Sequence, residues 1–102
     1  RTLPLEIETN LLRIGQEGLT NALRHAQAQT VTIQLRFDAT AVQLSIADDG
    51  RGFERRSHSF AAGFGLVGMQ ERSEQIGGQF SLTSRLGQGT EVVAIVPLCQ
   101  NR

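Results

Sequence analysis

Val31-Thr32-Ile33-Gln34-Leu35-Arg36-Phe37-Asp38-Ala39-Thr40-Ala41-Val42-Gln43-Leu44-Ser45-Ile46 is the stretch whose pattern decides the fold. Val31, Ile33, Leu35 and Phe37 alternate with Thr32, Gln34 and Arg36, and then Val42, Leu44 and Ile46 alternate with Gln43 and Ser45. A period of two over each half predicts two half-buried strands, with a hairpin turn at Asp38 to Thr40. Upstream the period changes. Ile7, Leu11, Ile14, Leu19, Leu23 and Ala26 recur at three-to-five-residue steps, the stripe of an amphipathic helix from about Glu6 to about Gln27. Downstream, Asp48 to Gly52 reads as a glycine turn and Glu54 to Ala62, polar and small without a period, as a loop. Leu66 to Ile76 supports a second helix, with Gly65 near its start and Gly77-Gly78 as its stop. Phe80 and Leu82 alternate with Ser81 and Thr83, whereas Val92 to Val96 is apolar throughout, the pattern of a strand covered on both faces, closed by Pro97.

The order helix, strand, strand, loop, helix, strand, strand predicts an α+β fold. It is a two-layer α/β sandwich in which a mostly antiparallel, mixed sheet carries helices on one face. At 102 residues the chain has the size of one domain, so residues 1–102 are read as a single unit without internal repeats. Five Phe with no Trp or Tyr leave the core to aliphatic side chains. Ten basic residues balance ten acidic ones, which argues against a nucleic-acid or anionic-membrane partner. The single Cys99 allows no internal disulfide, and no Cys/His cluster has metal spacing, as fits a reducing, cytoplasmic setting. No apolar run approaches the roughly 18 to 20 residues needed to cross a bilayer, and Arg1-Thr2-Leu3-Pro4 is no signal peptide. Starting on Arg1, the chain reads as a fragment of a parent that could itself be membrane-anchored.

Four local patterns carry chemistry. Glu17, Asn21 and Arg24 or His25 fall on one helical face. A carboxylate and an amide oxygen one turn apart suit a hard cation such as Mg²⁺, although a solvated polar face would hold the same residues. Asp48-Asp49-Gly50-Arg51-Gly52 follows a strand directly, where glycines allow a flat ligand close to the backbone and Asp48 can accept from an exocyclic amine; an ordinary turn has the same composition. Gly63-Phe64-Gly65-Leu66-Val67-Gly68 stands at a helix start, where free amides and the positive end of the dipole suit phosphates. It follows a polar loop instead of a strand, so a dinucleotide-binding fold is rejected, and glycines that merely ease helix packing remain the alternative. Gly87-Gln88-Gly89-Thr90 enters the last strand, as a hairpin turn or as a place where Thr90 meets a base.

In this order, from Leu11 to Pro97, the patterns resemble the sequence boxes of the Bergerat-fold ATPases, the superfamily of histidine kinases, DNA gyrase, ATP-dependent heat-shock chaperones and MutL. The resemblance implies that Glu17 and Asn21 hold Mg²⁺, with Arg24 and His25 near the phosphates. It further implies that Asp48, with Gly50 and Gly52, recognises adenine, that Gly63 and Gly65 close an ATP lid running from Glu54 to Ala62, and that Thr90 sits by the base. Leu66, Val67 and Gly68 would then present backbone amides to the phosphates. Gln16 to Ala26 and Gly65 to Arg72 are similar to the nitrate-sensor-like branch of sensor histidine kinases, which includes DesK-like and LiaS-like sensors. Gly18 departs from the alanine more usual there, and glycine in a helix costs about 1 kcal/mol relative to alanine.

What the resemblance implies is a histidine kinase catalytic domain that binds Mg·ATP and donates the γ-phosphoryl to a histidine on a separate dimerisation domain. That domain would precede Arg1, and a response regulator would follow in the relay. The fragment alone would be monomeric and unable to autophosphorylate, because His25 lies on the Mg²⁺ helix and His58 in the lid; the parent would be a homodimer. Two other readings stand beside it: an ATP-hydrolysing gyrase-like or chaperone-like module with Glu17 as base, and an anti-sigma-factor-like nucleotide-binding module. Arg51 and Arg72 are expected in surface ion pairs.

Overall fold

The computed structural model describes residues 3–24, 28–50, 66–85 and 87–98. Helix α1 (Leu5–Arg24) starts where the Glu8 amide donates to the Pro4 carbonyl, with Glu6 and Glu8 in its first turn and Arg24 in its last, each sign matching the helix dipole. Strands β1 (Val31–Phe37) and β2 (Ala41–Asp48) form the expected hairpin. The Asp38 carboxylate fixes its turn by accepting from the Thr40 and Ala41 amides, each at 2.8 Å. Helix α2 (Leu66–Gln75) ends where the Gly78 amide donates to the Ser73 carbonyl, and β3 (Gln79–Arg85) and β4 (Gly89–Pro97) follow.

The strands stand in the order β1-β2-β4-β3, and each neighbouring pair is antiparallel. The sheet expected to be mostly antiparallel is antiparallel throughout its described strands. Val42, Leu44 and Ile46 of β2 and Val92, Ala94 and Val96 of β4 form one buried row, which meets Leu11 and Ile14 of α1 and Leu66 and Met69 of α2. Burying an aliphatic side chain of this size is worth about 1.5–3 kcal/mol, so this row is the main source of stability.

Three further expectations change. The last strand is not covered on both faces: Val92, Ala94 and Val96 are buried, while Val93 is only half-buried and Ile95 is exposed on the face that carries no described helix. The apolar stripe of α1 runs Leu11, Ile14, Gly18, Ala22, leaving Leu19 and Leu23 outside. The step of five from Ile14 to Leu19 overshoots the turn, and Gly18 holds the buried position, where a Cβ would lie 3.3 Å from the Ile46 side chain. β1 is also less buried than its alternation predicts. Ile33 is 49% and Leu35 51% exposed, because α1 sits over β2 and leaves an apolar trough of about 760 Å³ between itself and β1. The predicted helix end at Gln27, the loop from Glu54 to Ala62, and Arg51, His58 and Cys99 lie outside the described residues.

Candidate functional site

Contacts between α1 and β2 place Gly15 and Gly18 over the strand that ends at Asp48. The Cβ direction of Gly15 meets Leu44 and that of Gly18 meets Ile46. One helical turn rises about 5.4 Å and two strand residues about 6.7 Å, so the two elements advance almost in step. The next turn, Asn21 and the fully buried Ala22, therefore reaches the level of Asp48, at the end of the row Val42, Leu44, Ile46. Glu17 lies one turn back on α1, and both Glu17 and Asn21 are half-buried.

Across the sheet, Asp48 stands opposite Thr90 and Thr90 opposite Ser84. All three share the helix-covered face, because directly opposite residues point the same way. The Ser84 and Thr90 hydroxyls are 2.8 Å apart, so the threonine's orientation is set by a partner on β3. The Asp48 carboxylate accepts from the Gly50 amide at 2.8 Å, an Asx turn that leaves its second oxygen for another donor. Asp49 is a structural tie instead. Its Oδ1 accepts from the amides of Gln29 and Thr30 at 2.9 and 3.0 Å and joins the β2 end to the chain entering β1. The Thr30 amide first, then that of Gln29, holds the Asp49 carboxyl below its ordinary value.

Gly89 keeps this end of the sheet closed. Its φ is +89°, and a Cβ there would run into the Asp48 carbonyl oxygen. Gly87, at φ +78°, would bring an added Cβ against nothing among the described residues and serves the turn. Beside them a cleft of about 340 Å³ is lined by Asp48, Ser84, Gln88, Gly89 and Thr90, among others. A second polar pocket, of about 420 Å³, lies between the helices, lined by Glu17 and Thr20 of α1 and Gly68 of α2. The start of α2 thus comes to the same end of the domain as Asn21, Asp48 and Thr90.

This arrangement separates the predicted residues into groups. Glu17, Asn21, Asp48, Gly50, Gly68 and Thr90 are gathered at one end of the helix-covered face, and Gly50 is buried. Arg24 is the exposed last residue of α1. Leu66 sends its side chain into the core, so only its backbone is available to a ligand, while Val67 is exposed. His25, Gly52, Gly63 and Gly65 lie outside the described residues. Arg72, expected in a surface ion pair, is half-buried in the pocket between the helices. Sequence reasoning missed Ser84 and the structural role of Asp49, since each acts through a partner fixed only by strand pairing.

Among the described residues no group of three or more His, Cys, Asp or Glu gathers as for a metal. Glu17 and Asn21 are oxygen donors one turn apart, which fits a cation that takes one or two protein ligands and completes its shell from phosphate and water, as Mg²⁺ does. The apolar trough along β1, bounded by described residues, has few polar groups and lacks Glu17, Asn21, Asp48, Gly68 and Thr90. It is not where a charged, hydrogen-bonding ligand would be oriented. Among the described residues no helix is long and apolar enough to cross a membrane.

A family model described as histidine kinase-, DNA gyrase B-, and HSP90-like ATPase matches residues 6–100. The chain is 38% identical over 93 residues to the oxygen sensor histidine kinase NreB of Staphylococcus carnosus, a match that covers 91% of this chain and 27% of that protein. The histidine kinase domain of the blue-light activated histidine kinase EL346 of Erythrobacter litoralis superposes with a TM-score of 0.80 at 24% identity, covering 94% of this chain and 46% of that one. The ATP binding domain of PrrB from Mycobacterium tuberculosis superposes with a TM-score of 0.74 at 23% identity, covering 90% of this chain and 69% of that one.

Proposed function

The chain belongs to the histidine kinase-, DNA gyrase B- and HSP90-like ATPase family and has the Bergerat fold of histidine kinase ATP-binding domains, and from that premise we propose that it is the Mg·ATP cradle of a sensor histidine kinase. One observation carries the reading: Asn21, Asp48, Thr90 and the start of α2 arrive from separate elements at one end of the helix-covered face. In this reading the Asp48 carboxylate accepts the adenine amine, held in place by its bond from the Gly50 amide. Thr90, oriented by Ser84, borders the base. Amides at the start of α2 and the positive end of its dipole meet the phosphates. Glu17 and Asn21 hold Mg²⁺, which neutralises phosphate charge when bound.

The reaction proposed for the parent protein is donation of the γ-phosphoryl to a histidine on a separate dimerisation domain, with passage to a response regulator. The relation to NreB supports this, although the chain spans 27% of that protein's length. Phosphoryl transfer depends mainly on positioning and charge neutralisation, so a domain that only cradles Mg·ATP supplies most of what the chemistry needs.

Calorimetric titration of the chain with ATP in magnesium tests the cradle. Saturable binding is expected, with a loss of at least about tenfold in Asp48→Asn, whose amide sets a donor where the carboxylate accepts. Unchanged affinity in that variant would remove Asp48 from the adenine site. The kinase step is tested by mixing the chain with an acceptor-bearing dimerisation domain and γ-labelled ATP. Acid-labile label is expected on the acceptor and not on this chain.

A further inference from the structure

Asp38 and Asp49 hold the two ends of the β1–β2 hairpin in the same way. Each carboxylate is exposed and accepts from two successive backbone amides, those of Thr40 and Ala41 at one end and those of Gln29 and Thr30 at the other. Their surroundings differ. Asp38 caps a turn at the other end of β2 from Asp48, whereas Asp49 is the middle residue of the Asx turn that runs from the Asp48 carboxylate to the buried Gly50.

The bonds of Asp49 reach two parts of the cradle at once. Its carboxylate accepts at 2.9 and 3.0 Å, and its own amide donates to the Thr30 carbonyl at 3.3 Å, so the middle of the Asx turn is fastened to the chain entering β1. With the middle of the turn fixed, the Asp48 carboxylate keeps one orientation in the cleft that it lines with Thr90. The same stretch is tied to α1. The Ala28 amide donates to the carbonyl of Ala22 at 3.3 Å, and Ala22 is the neighbour of Asn21. Asp49 therefore joins the strand end that carries Asp48 to the helical turn that carries Asn21. A site held in its bound arrangement before the ligand arrives spends less of its binding energy on ordering.

We infer that Asp49 is a positioning residue of the nucleotide site, which touches no ligand and holds the Asp48 carboxylate and the last turn of α1 in one frame. The inference rests on the proposed ATP cradle and adds to it a residue that acts through Asp48. What the site uses is the placement of an acceptor oxygen between two amides, which an amide side chain of the same length also supplies.

Calorimetry with Mg·ADP, at a temperature where each variant keeps the far-ultraviolet dichroism of the folded chain, separates positioning from stability. Asp49→Ala should weaken binding by about fivefold or more, the order of one lost hydrogen bond. Asp49→Asn should stay within about twofold of the unaltered chain, because its amide oxygen still accepts from both N–H groups. Asp49→Glu should lose affinity as the alanine variant does, since the extra methylene keeps the charge and displaces the oxygen. Asp38→Ala removes the matched pair of bonds and should lower Tm comparably while affinity stays within about twofold. Unchanged affinity in Asp49→Ala, or equal losses in Asp49→Ala and Asp38→Ala, would overturn the inference. A loss in Asp49→Asn that Asp49→Glu escapes would overturn it as well, by assigning the effect to charge, and this contrast decides the matter alone if Asp49→Ala does not fold. Failure of the unaltered chain to bind Mg·ADP would instead remove the cradle on which the inference rests.

Discussion

Replacing Gly89 by alanine tests how the sheet end is held for its ligand, and Gly87→Ala provides the matched comparison. Both glycines have positive φ, +89° and +78°, so either substitution carries the left-handed penalty of about 1–2 kcal/mol. At Gly87 that is the whole cost, because an added methyl meets nothing among the described residues. At Gly89 the methyl runs into the Asp48 carbonyl oxygen, and neither backbone can yield without parting the β2–β4 ladder beside the Asp48 and Thr90 pair. Loss of one or two ladder bonds adds about 0.5–1.5 kcal/mol each. Gly89→Ala should therefore cost about 1.5–5 kcal/mol, against a stability typically of about 5–15 kcal/mol for a domain, and Gly87→Ala about 1–2. Urea denaturation at constant m-value reads both, and nucleotide titration should show weakened affinity for Gly89→Ala alone, since only that change moves Asp48. Equal destabilisation of the two variants, or an unaltered affinity in Gly89→Ala, would refute the reasoning from the close approach.

Three other outcomes follow from the packing. Gly18→Ala should stabilise the chain by up to about 1 kcal/mol, because the helical gain is met only by the flexible Ile46 side chain 3.3 Å away; a loss in urea midpoint would mean that α1 cannot shift over β2. Ser73 is fully buried and its hydroxyl lacks a hydrogen-bond partner among the described residues, so Ser73→Ala should be neutral or stabilising by about 1 kcal/mol, whereas clear destabilisation would reveal a partner. The Asp49 carboxyl is held below its ordinary value by the Thr30 and Gln29 amides, so its contribution to stability is present above 3.8, the unperturbed value, and disappears as pH falls through the lower folded value. Asp49→Asn should accordingly lower Tm at pH 7 and lose that deficit in strong acid; a deficit that persists there would assign the effect to something other than the charge.

Much of the fold was legible because it is local. The alternation from Val31 to Ile46 and the turn at Asp38 to Thr40 predict the β1–β2 hairpin, and Gly77-Gly78 marks the end of α2. What the pattern does not contain is lateral placement. Nothing in Val92 to Val96 says that β4 will lie beside β2 with one face away from the described helices, and nothing in the α1 stripe says that the helix will sit over β2 closely enough to bury Gly18 and leave Leu19 out. Site legibility divides in the same way. Glu17, Asn21, Asp48 and Thr90 stand out by spacing, whereas Ser84 beside Thr90 depends on strand pairing between segments separated in the chain.

The central claim is that a nucleotide binds at the end of the sheet marked by Asp48, away from the larger apolar trough. Amide chemical-shift mapping of the isotope-labelled chain during titration with Mg·ADP tests it most directly. The account predicts that the shifts cluster at 20–22, 48–50, 66–69 and 89–91, while Leu12, Leu19, Ile33 and Leu35 along the trough stay in place. Shifts concentrated on those trough residues, with Asp48 and Thr90 unmoved, would contradict it.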